Sequence, residues 1–383
     1  MSESIAIAGA GVFGAWTAHH LLQHGFRVTL IDAVGPAHSR ASSGGESRLI
    51  RAAYGPDSIY TRMARDSLPH WKTLSNAAAL PIFIPCGILF FFPADESYAC
   101  DTLTAHQELG LSTQALTRAE MARRFPAFDF DGVELGLYEP DFGILLARRS
   151  VQTLVDAFVQ AGGTYLTGLV QSPTASGERL HEIQLSSGES LGADHFVFAA
   201  GPWLPKLFLE VIGPRIRVTH QEVFYFTPPD GHARFGPDAM PGWADFNGGH
   251  MFYGMPDIEG CGVKIAFDRH GNEVEPDTQD RHFTQAALDE VIAYRDRRFP
   301  LLREASLTGA EVCQYENSSN GDLLIDLHPQ WSNVLFVGGG SGHGFKHGPE
   351  VGRYAAARLL GSVTPEARFS LATKSATHSR EVH

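Results

Sequence analysis

Three glycines and one carboxylate near the start of the chain carry the first chemical signal. The run Ile5-Ala-Ile-Ala-Gly9-Ala-Gly11-Val-Phe-Gly14 places an apolar, strand-favouring stretch before Gly-x-Gly-x-x-Gly, and Val28-Thr-Leu-Ile-Asp32 ends a second such stretch on an acid. This arrangement suits a pyrophosphate. Gly9 permits a tight turn, Gly11 leaves no Cβ between backbone and phosphate, and Gly14 lets a helix pack closely on the strand. The free N–H groups and partial positive charge of the helix start then face the anion. Asp32 is placed to accept hydrogen bonds from a ribose diol, which argues against a 2′-phosphate. FAD or NAD is therefore expected over NADP. A glycine-rich turn without a ligand is the weaker reading, because the motif stands between two strand patterns.

Four further residues have chemical potential. Lys264 lies between Val263 and Ile265. A lysine buried there is costly unless it faces a cavity or an anion, and a solvent-facing strand lysine is the competing reading. Arg48 and Arg51 are separated by Leu-Ile, an apolar setting for charges in an otherwise polar loop. Cys313 in an apolar strand reads, taken alone, as a small core residue. No His–carboxylate dyad stands out as a strong base, and no metal site is expected.

These residues need elements to hold them. After Gly14 a helix is predicted with Ala15, Ala18, Leu21 and Leu22 on one face, ended by Gly25. Residues 35–55 read as a long, aperiodic loop of functional type. Helices are predicted over 57–79, near 95–109, over 117–125 behind a Thr-x-x-Glu capping box, over 149–160 and over 349–360. Strands are predicted within 82–92, 164–170, 195–201 and 333–338, with antiparallel strands in 216–227 and 250–267. Nucleotide-binding patterns thus stand at both ends, with β-rich segments between them. Two interleaved domains follow: 1–79, 147–216 and 320–372 form the dinucleotide-binding one, 80–146 and 217–319 the substrate one, and 373–383 a frayed tail.

Composition narrows the function. The 383 residues, 43% hydrophobic, can fill a full core, and the formal charge of −13 disfavours nucleic acid and anionic membrane as partners. No apolar run is long enough to span a bilayer, and the chain enters a strand at once, so no leader is expected. Four scattered cysteines without a Cys-x-x-Cys pair point to a cytoplasmic protein with free thiols.

Several segments in order resemble the FAD-dependent amine oxidases of the monomeric sarcosine oxidase group, which also holds N-methyltryptophan, pipecolate and fructosyl-amino-acid oxidases. They are Gly9-x-Gly11-x-x-Gly14 with Asp32-Ala33, Ser47-Arg-Leu-Ile-Arg51-Ala-Ala-Tyr54-Gly55, Ala200-Gly201-Pro-Trp203, Phe252-Tyr-Gly-Met-Pro256, Gly260-Cys-Gly-Val-Lys264, Gly309-Ala-Glu-Val-Cys313-x-Tyr315, Leu324-Ile-Asp326-Leu-His328-Pro329 and Ser341-Gly-His-Gly-Phe-Lys346. The resemblance implies a doubly wound, glutathione-reductase-like FAD-binding domain interleaved with an antiparallel-sheet substrate domain. It implies covalent FAD through a Cys313 thioether. Lys264 would activate oxygen beside the flavin, as a fixed cation stabilising superoxide, with Arg48 as a second basic group. Arg51 and Lys346 would grip the substrate carboxylate. Tyr253, Tyr315 and Asp268 would complete the catalytic set. The implied cofactor contacts are Gly9, Gly11, Phe13, Gly14, Asp32, Ala33, Ser43, Arg48, Leu49, Val170, Gly201, Trp203 and Cys313, then Gly340, Gly342, His343, Gly344, Phe345 and Lys346. His343 and His328 read as structural hydrogen-bonders.

The sequence also departs from the sarcosine oxidases. Ser42-Ser43-Gly44-Gly45-Glu46-Ser47 replaces a His pair, Asp268 a His and Ala244 a Met. Ala244 should leave room, and Asp268 could hold a cationic or hydroxylated tail. The expected reaction takes a secondary or N-substituted α-amino acid and oxygen to an imine and hydrogen peroxide, in a monomer. The alternatives are a fructosyl-amino-acid oxidase and a dehydrogenase with a non-oxygen acceptor.

Overall fold

The apolar run Ser4–Ala8 becomes an inner strand of a six-stranded sheet, flanked on one side by Arg27–Asp32 and Thr164–Thr167 and on the other by His195–Phe198, Val334–Gly338 and Leu324–Leu327. The first five of these strands run parallel and the last is antiparallel to its neighbour. A strand buried on both faces must be apolar throughout, and Ile5 to Ala8 is buried at every position. The computed structural model describes residues 2–379 apart from 94–95, 230–232, 248–250 and 270. Asp95 and His250, at the starts of two predicted elements, and residues 380–383 lie outside the described residues.

A second, eight-stranded sheet is antiparallel apart from one parallel pair, Gly242–Asp245 with Ile88–Phe92. Its long strands Ile216–Phe226 and Leu307–Ser318 run side by side, setting Gln221 opposite Cys313 and Thr219 opposite Tyr315. Cys313 and Tyr315 are two apart, so their side chains leave the same face. Tyr225 stands opposite Lys264 in the next pair. The mixture of a parallel sheet with an antiparallel one is the expected fold class.

The structure adds elements that local patterns did not reveal. Within 35–55, Ser47–Ile50 is a strand, paired with Gly143–Leu146, which also pairs with Phe83–Ile84. Ser-Arg-Leu-Ile has no period of two, and its partner lies far away in the chain, so only the tertiary fold specifies it. Its pairing fixes the backbone that leads to Arg51. Strands Leu135–Glu139 and Gly242–Asp245 and the helix Gln285–Arg298 are further additions. The predicted capping box is present at Thr117 and Glu120. The described part of the tail is tied down: Lys374 is buried, and the Ser375 and Ser379 amides donate to Ser319.

One buried ion pair braces the second sheet. Arg298 donates to Asp245 Oδ2 from Nε at 3.0 Å and Nη2 at 2.9 Å, and Tyr294 donates to the same oxygen at 2.9 Å. Both charged side chains are about 1% exposed. Arg298→Ala should lower the unfolding free energy by about 3–5 kcal/mol, because it strands the Asp245 charge in the core. A urea titration reads this; a loss below about 1 kcal/mol would contradict the argument.

Candidate active site

Ligands in open α/β sheets bind beyond the carboxyl ends of the strands. Here those ends carry Gly9, Asp32, Val170, Gly201 and the turn 339–344, and they surround a cavity of about 620 Å³. The glycines behave as their spacing requires. Gly9 has φ +105°, and a Cβ on it would meet the Ala199 carbonyl oxygen at 2.3 Å; one on Gly14 would meet the Gly9 oxygen at 1.9 Å. Gly11 has only Ser43 Oγ nearby, at 3.5 Å, so its backbone faces the cavity. The helix Val12–Gln23 starts there with no side-chain cap bond at Gly11 and no acid in its first turn. Asp32 lines the same space, its Oδ2 accepting from Ala10 N at 2.9 Å. An anionic dinucleotide fits this cradle.

Phe13, Ala33, Ser43, Arg48, Trp203, Cys313, Gly340, Gly342, Gly344 and Phe345 also line it. Gly14 does not, since its place is the helix–strand contact. Leu49, His343 and Lys346 instead line an adjoining cavity of about 80 Å³, together with Arg51, Tyr253, Tyr315, Asp268 and Ala244. Arg48, Cys313, Tyr315, Gly342 and Phe345 belong to both walls. Cys313 thus stands between the two spaces, its Sγ 3.7 Å from Arg48 Nη2. Ala244 shares this wall with Met251, Tyr253 and Met255.

The small cavity is strongly polarised. Arg51 and Lys346 are buried beside it, and both stand over the Tyr54 ring, at 4.4 and 5.2 Å from its centroid. Lys346 Nζ donates to His343 O at 2.7 Å, and Arg51 Nη1 to Ala53 O. Burial, then Arg51, hold the Lys346 ammonium well below its ordinary pKa, while Asp268 and Glu139 pull it back up. Tyr315 donates to Asp268 Oδ1 at 3.0 Å, and burial raises the Tyr315 and Tyr253 phenols well above their usual range. The Tyr54 hydroxyl bridges His343 Nδ1 at 3.1 Å and His347 Nε2 at 2.8 Å, so His343 is held in a packed network. His328 is remote, accepting from Gln330 N and Trp331 N at 3.1 Å each.

Lys264 has a different surrounding. It lines neither of these cavities but the floor of a third, about 430 Å³, with Glu46, Arg148, Tyr225 and Cys261. Its Nζ donates to Ser47 O at 3.0 Å. Burial, then Arg48, lower its pKa to about 7, against Glu311 and Cys313. It thus stands in the partition between this outer cavity and the Arg48–Cys313 edge.

Sequence reasoning missed Glu139, buried behind Arg51, and gave Gln221, Met251 and Tyr54 no role. Tyr54 alone had a signal, since it stands in the Arg-x-x-Arg-x-x-Tyr-Gly segment.

Comparison with known proteins places these features. Residues 4–358 match the profile of the DAO family, FAD dependent oxidoreductase. A monomeric sarcosine oxidase of Bacillus sp. (strain B-0618) is 29% identical, over 91% of this chain and 90% of its own. An N-methyl-L-tryptophan oxidase of Salmonella heidelberg (strain SL476) is 29% identical, over 94% and 95%. A solved fructosyl peptide oxidase, a thermally stable mutant, is 18% identical and shares the fold with a TM-score of 0.84, covering 100% of this chain and 97% of its own.

Proposed function

The chain belongs to the family of FAD-dependent oxidoreductases, and from that premise we propose that it oxidises compact secondary or N-substituted α-amino acids with oxygen, giving an imine and hydrogen peroxide. One observation carries the reading: the small cavity holding Arg51, Lys346 and Asp268 shares Cys313, Arg48 and Tyr315 with the dinucleotide cavity. A substrate in the first space touches whatever ring lies in the second. The names of the relatives, sarcosine oxidase and N-methyl-L-tryptophan oxidase, support the N-substituted amino acid class.

FAD, when bound, supplies the two-electron acceptor and the route to oxygen. The chain's own residues do the rest. Arg51 offers a planar fork and Lys346 a point charge, which together hold a carboxylate. Fixing the carboxylate aligns the adjoining Cα and nitrogen toward the shared wall, where orientation alone lowers the barrier. Asp268, oriented by Tyr315, faces the cavity as the acceptor for an amine hydrogen or a polar tail. Tyr253 and Met255 line the same space. As the substrate loses a hydride equivalent from carbon, its neutral amine becomes an iminium, so no strong protein base is needed. Lys264, with Arg48, sets positive charge beside the Cys313 edge and would stabilise reduced oxygen. Gly9, Gly11, Asp32 and Gly201 would hold the dinucleotide, and Cys313 its ring, through a thioether.

The two sheets suggest the division of labour. Segments 1–79, 147–216 and 320–372 supply all six strands of the first sheet and would form the FAD-binding domain; 80–146 and 217–319 would form the substrate domain. Four unpaired cysteines support a cytoplasmic setting, and the name of the monomeric sarcosine oxidase relatives supports a monomer.

The deciding experiment compares kcat/KM, by oxygen uptake and peroxide yield, for sarcosine, pipecolate, a fructosyl amino acid and N-methylethylamine. The acids without a sugar should lead. The amine lacking a carboxylate should fall roughly 30- to several-thousand-fold behind, the scale of about 2–5 kcal/mol for a lost buried charge contact. Equal rates for that amine would refute the Arg51–Lys346 assignment. Acid-precipitated protein should stay yellow and carry the added mass of FAD; a colourless pellet would refute the Cys313 link. Lys264→Met should slow reoxidation by oxygen on the order of 10²-fold while flavin reduction changes far less. Unchanged reoxidation in stopped flow would remove Lys264 from that role.

A further inference from the structure

Gln221 lines the small cavity and has no part in the roles above. It stands on the long strand Ile216–Phe226, directly opposite Cys313 on Leu307–Ser318. Residues directly opposite in an antiparallel pair send their side chains to the same face, so Gln221 shares the face that carries Cys313 and Tyr315. It is 3% exposed, and its Nε2 donates to Phe267 O at 2.6 Å, the carbonyl just before Asp268. Gln221 thus spans from the position beside Cys313 to the backbone beside Asp268.

That hydrogen bond fixes the amide. A carbonyl oxygen only accepts, so the carboxamide nitrogen must face Phe267, and Oε1 is the atom left over. Oε1 is buried and has no hydrogen-bond partner. Among the described residues lining this cavity, it is the one buried side-chain nitrogen or oxygen in that condition. The other polar groups of the wall are engaged. Arg51 donates to Ala53 O, Lys346 to His343 O, and Arg48 to Ser47 O and Ser42 O. Tyr315 is bonded to Asp268 and Tyr253, Glu311 Oε2 accepts from Tyr225 at 3.2 Å, and His343 meets Tyr54 and Gly321 O. A buried acceptor without a donor is costly, and in a ligand cavity the ligand can supply the donor.

The substrate class read above offers one. A secondary α-amino acid carries, beside its carboxylate, a nitrogen that keeps one N–H when neutral, and the neutral amine is the form that gives up a hydride equivalent from carbon. With the carboxylate on Arg51 and Lys346, that nitrogen lies toward the shared wall, where Gln221 stands opposite Cys313. Charge selects the acceptor. A carboxylate against the nitrogen, whether Asp268 or Glu311, would favour the protonated, unreactive ammonium, whereas an amide oxygen accepts the N–H without holding an extra proton. Asp268 instead takes the Tyr315 hydrogen and acts through space on Arg51 and Lys346. Resting on the reading of Arg51 and Lys346 as a carboxylate grip, we infer that Gln221 Oε1 accepts the amine N–H of the substrate and makes the site selective for secondary over tertiary amino acids. A neutral tertiary amine has no N–H and leaves that oxygen stranded. A site built to pair a polar hydrogen rejects the analogue that lacks it.

The test compares two isomers, N-ethylglycine and N,N-dimethylglycine, on the FAD-loaded enzyme. They are built of the same atoms around the same carboxylate, and differ in whether the neutral nitrogen bears a hydrogen. Anaerobic stopped flow over a range of substrate concentrations gives the ratio of their rates of flavin reduction. Wild type should favour N-ethylglycine on the order of tenfold to a hundredfold. Gln221→Met keeps the length of the side chain, removes the acceptor, and should bring the ratio close to one. A merely structural glutamine would slow both isomers alike and leave the ratio unmoved. A wild-type ratio near one, or an unchanged ratio in Gln221→Met, would overturn the inference. Should Gln221→Met not accumulate as holoenzyme, a crystal structure of the reduced wild type with N-ethylglycine decides. The amine nitrogen is expected within hydrogen-bond distance of Gln221 Oε1; a nitrogen bonded to Asp268 alone would overturn the inference. If neither isomer nor sarcosine reduces the flavin, the amino-acid reading itself fails and the inference falls with it, a result distinct from equal rates for the two isomers.

Discussion

Arg51 and Lys346 are two basic side chains buried beside a cavity of about 80 Å³. That is an unfavourable arrangement unless anions answer it, and much of the surrounding structure serves to hold it together. Asp268 and Glu139 stand close enough to pull the Lys346 pKa back up against burial and Arg51. The Tyr54 ring receives both basic groups on its π surface, and its hydroxyl is fixed by His343 and His347. Trp71 Nε1 donates to Lys346 O at 2.8 Å, so even the lysine backbone is pinned from the helix Ser58–Ala77. Such a site is prepared before any ligand arrives, which is how binding energy is directed into orientation.

The two sheets bring this charged cavity to the dinucleotide cradle. The first ends its parallel strands at Gly9, Asp32 and Gly201, and the second carries Cys313 and Tyr315 out on one face of a long strand. Their meeting gives the two spaces a common wall of Arg48, Cys313, Tyr315, Gly342 and Phe345. Lys264 lines a different cavity, with Glu46, Arg148 and Tyr225. The cavity beside Arg51 and Lys346 and the cavity beside Lys264 are separate spaces. That separation suits a catalyst that must handle two reactants in turn.

Much of this was legible in the residues. The Gly9 to Asp32 unit is local: turn, helix start and second strand follow one another, so spacing alone specifies it. The capping box at Thr117 and the antiparallel strands near 216–227 were readable for the same reason. Arg48 and Arg51 could be suspected from an apolar Leu-Ile between charges, but the strand Ser47–Ile50 that fixes them pairs with residues near 145, and no local pattern announces that. Glu139 was invisible because its job is done through backbone amides of Ala52, a contact made between segments 87 positions apart. Ala244 lines the small cavity together with Met251 and Met255, which local sequence did not bring beside it.

The central claim is that a carboxylate sits on Arg51 and Lys346 beside the shared wall. A crystal structure of the FAD-loaded protein with a compact, non-oxidisable carboxylate tests it most directly. The account predicts the carboxylate oxygens within hydrogen-bond distance of both side chains, with the rest of the ligand against the ring next to Cys313. A ligand found instead on Arg148 in the outer cavity, with the small cavity holding only water, would contradict it.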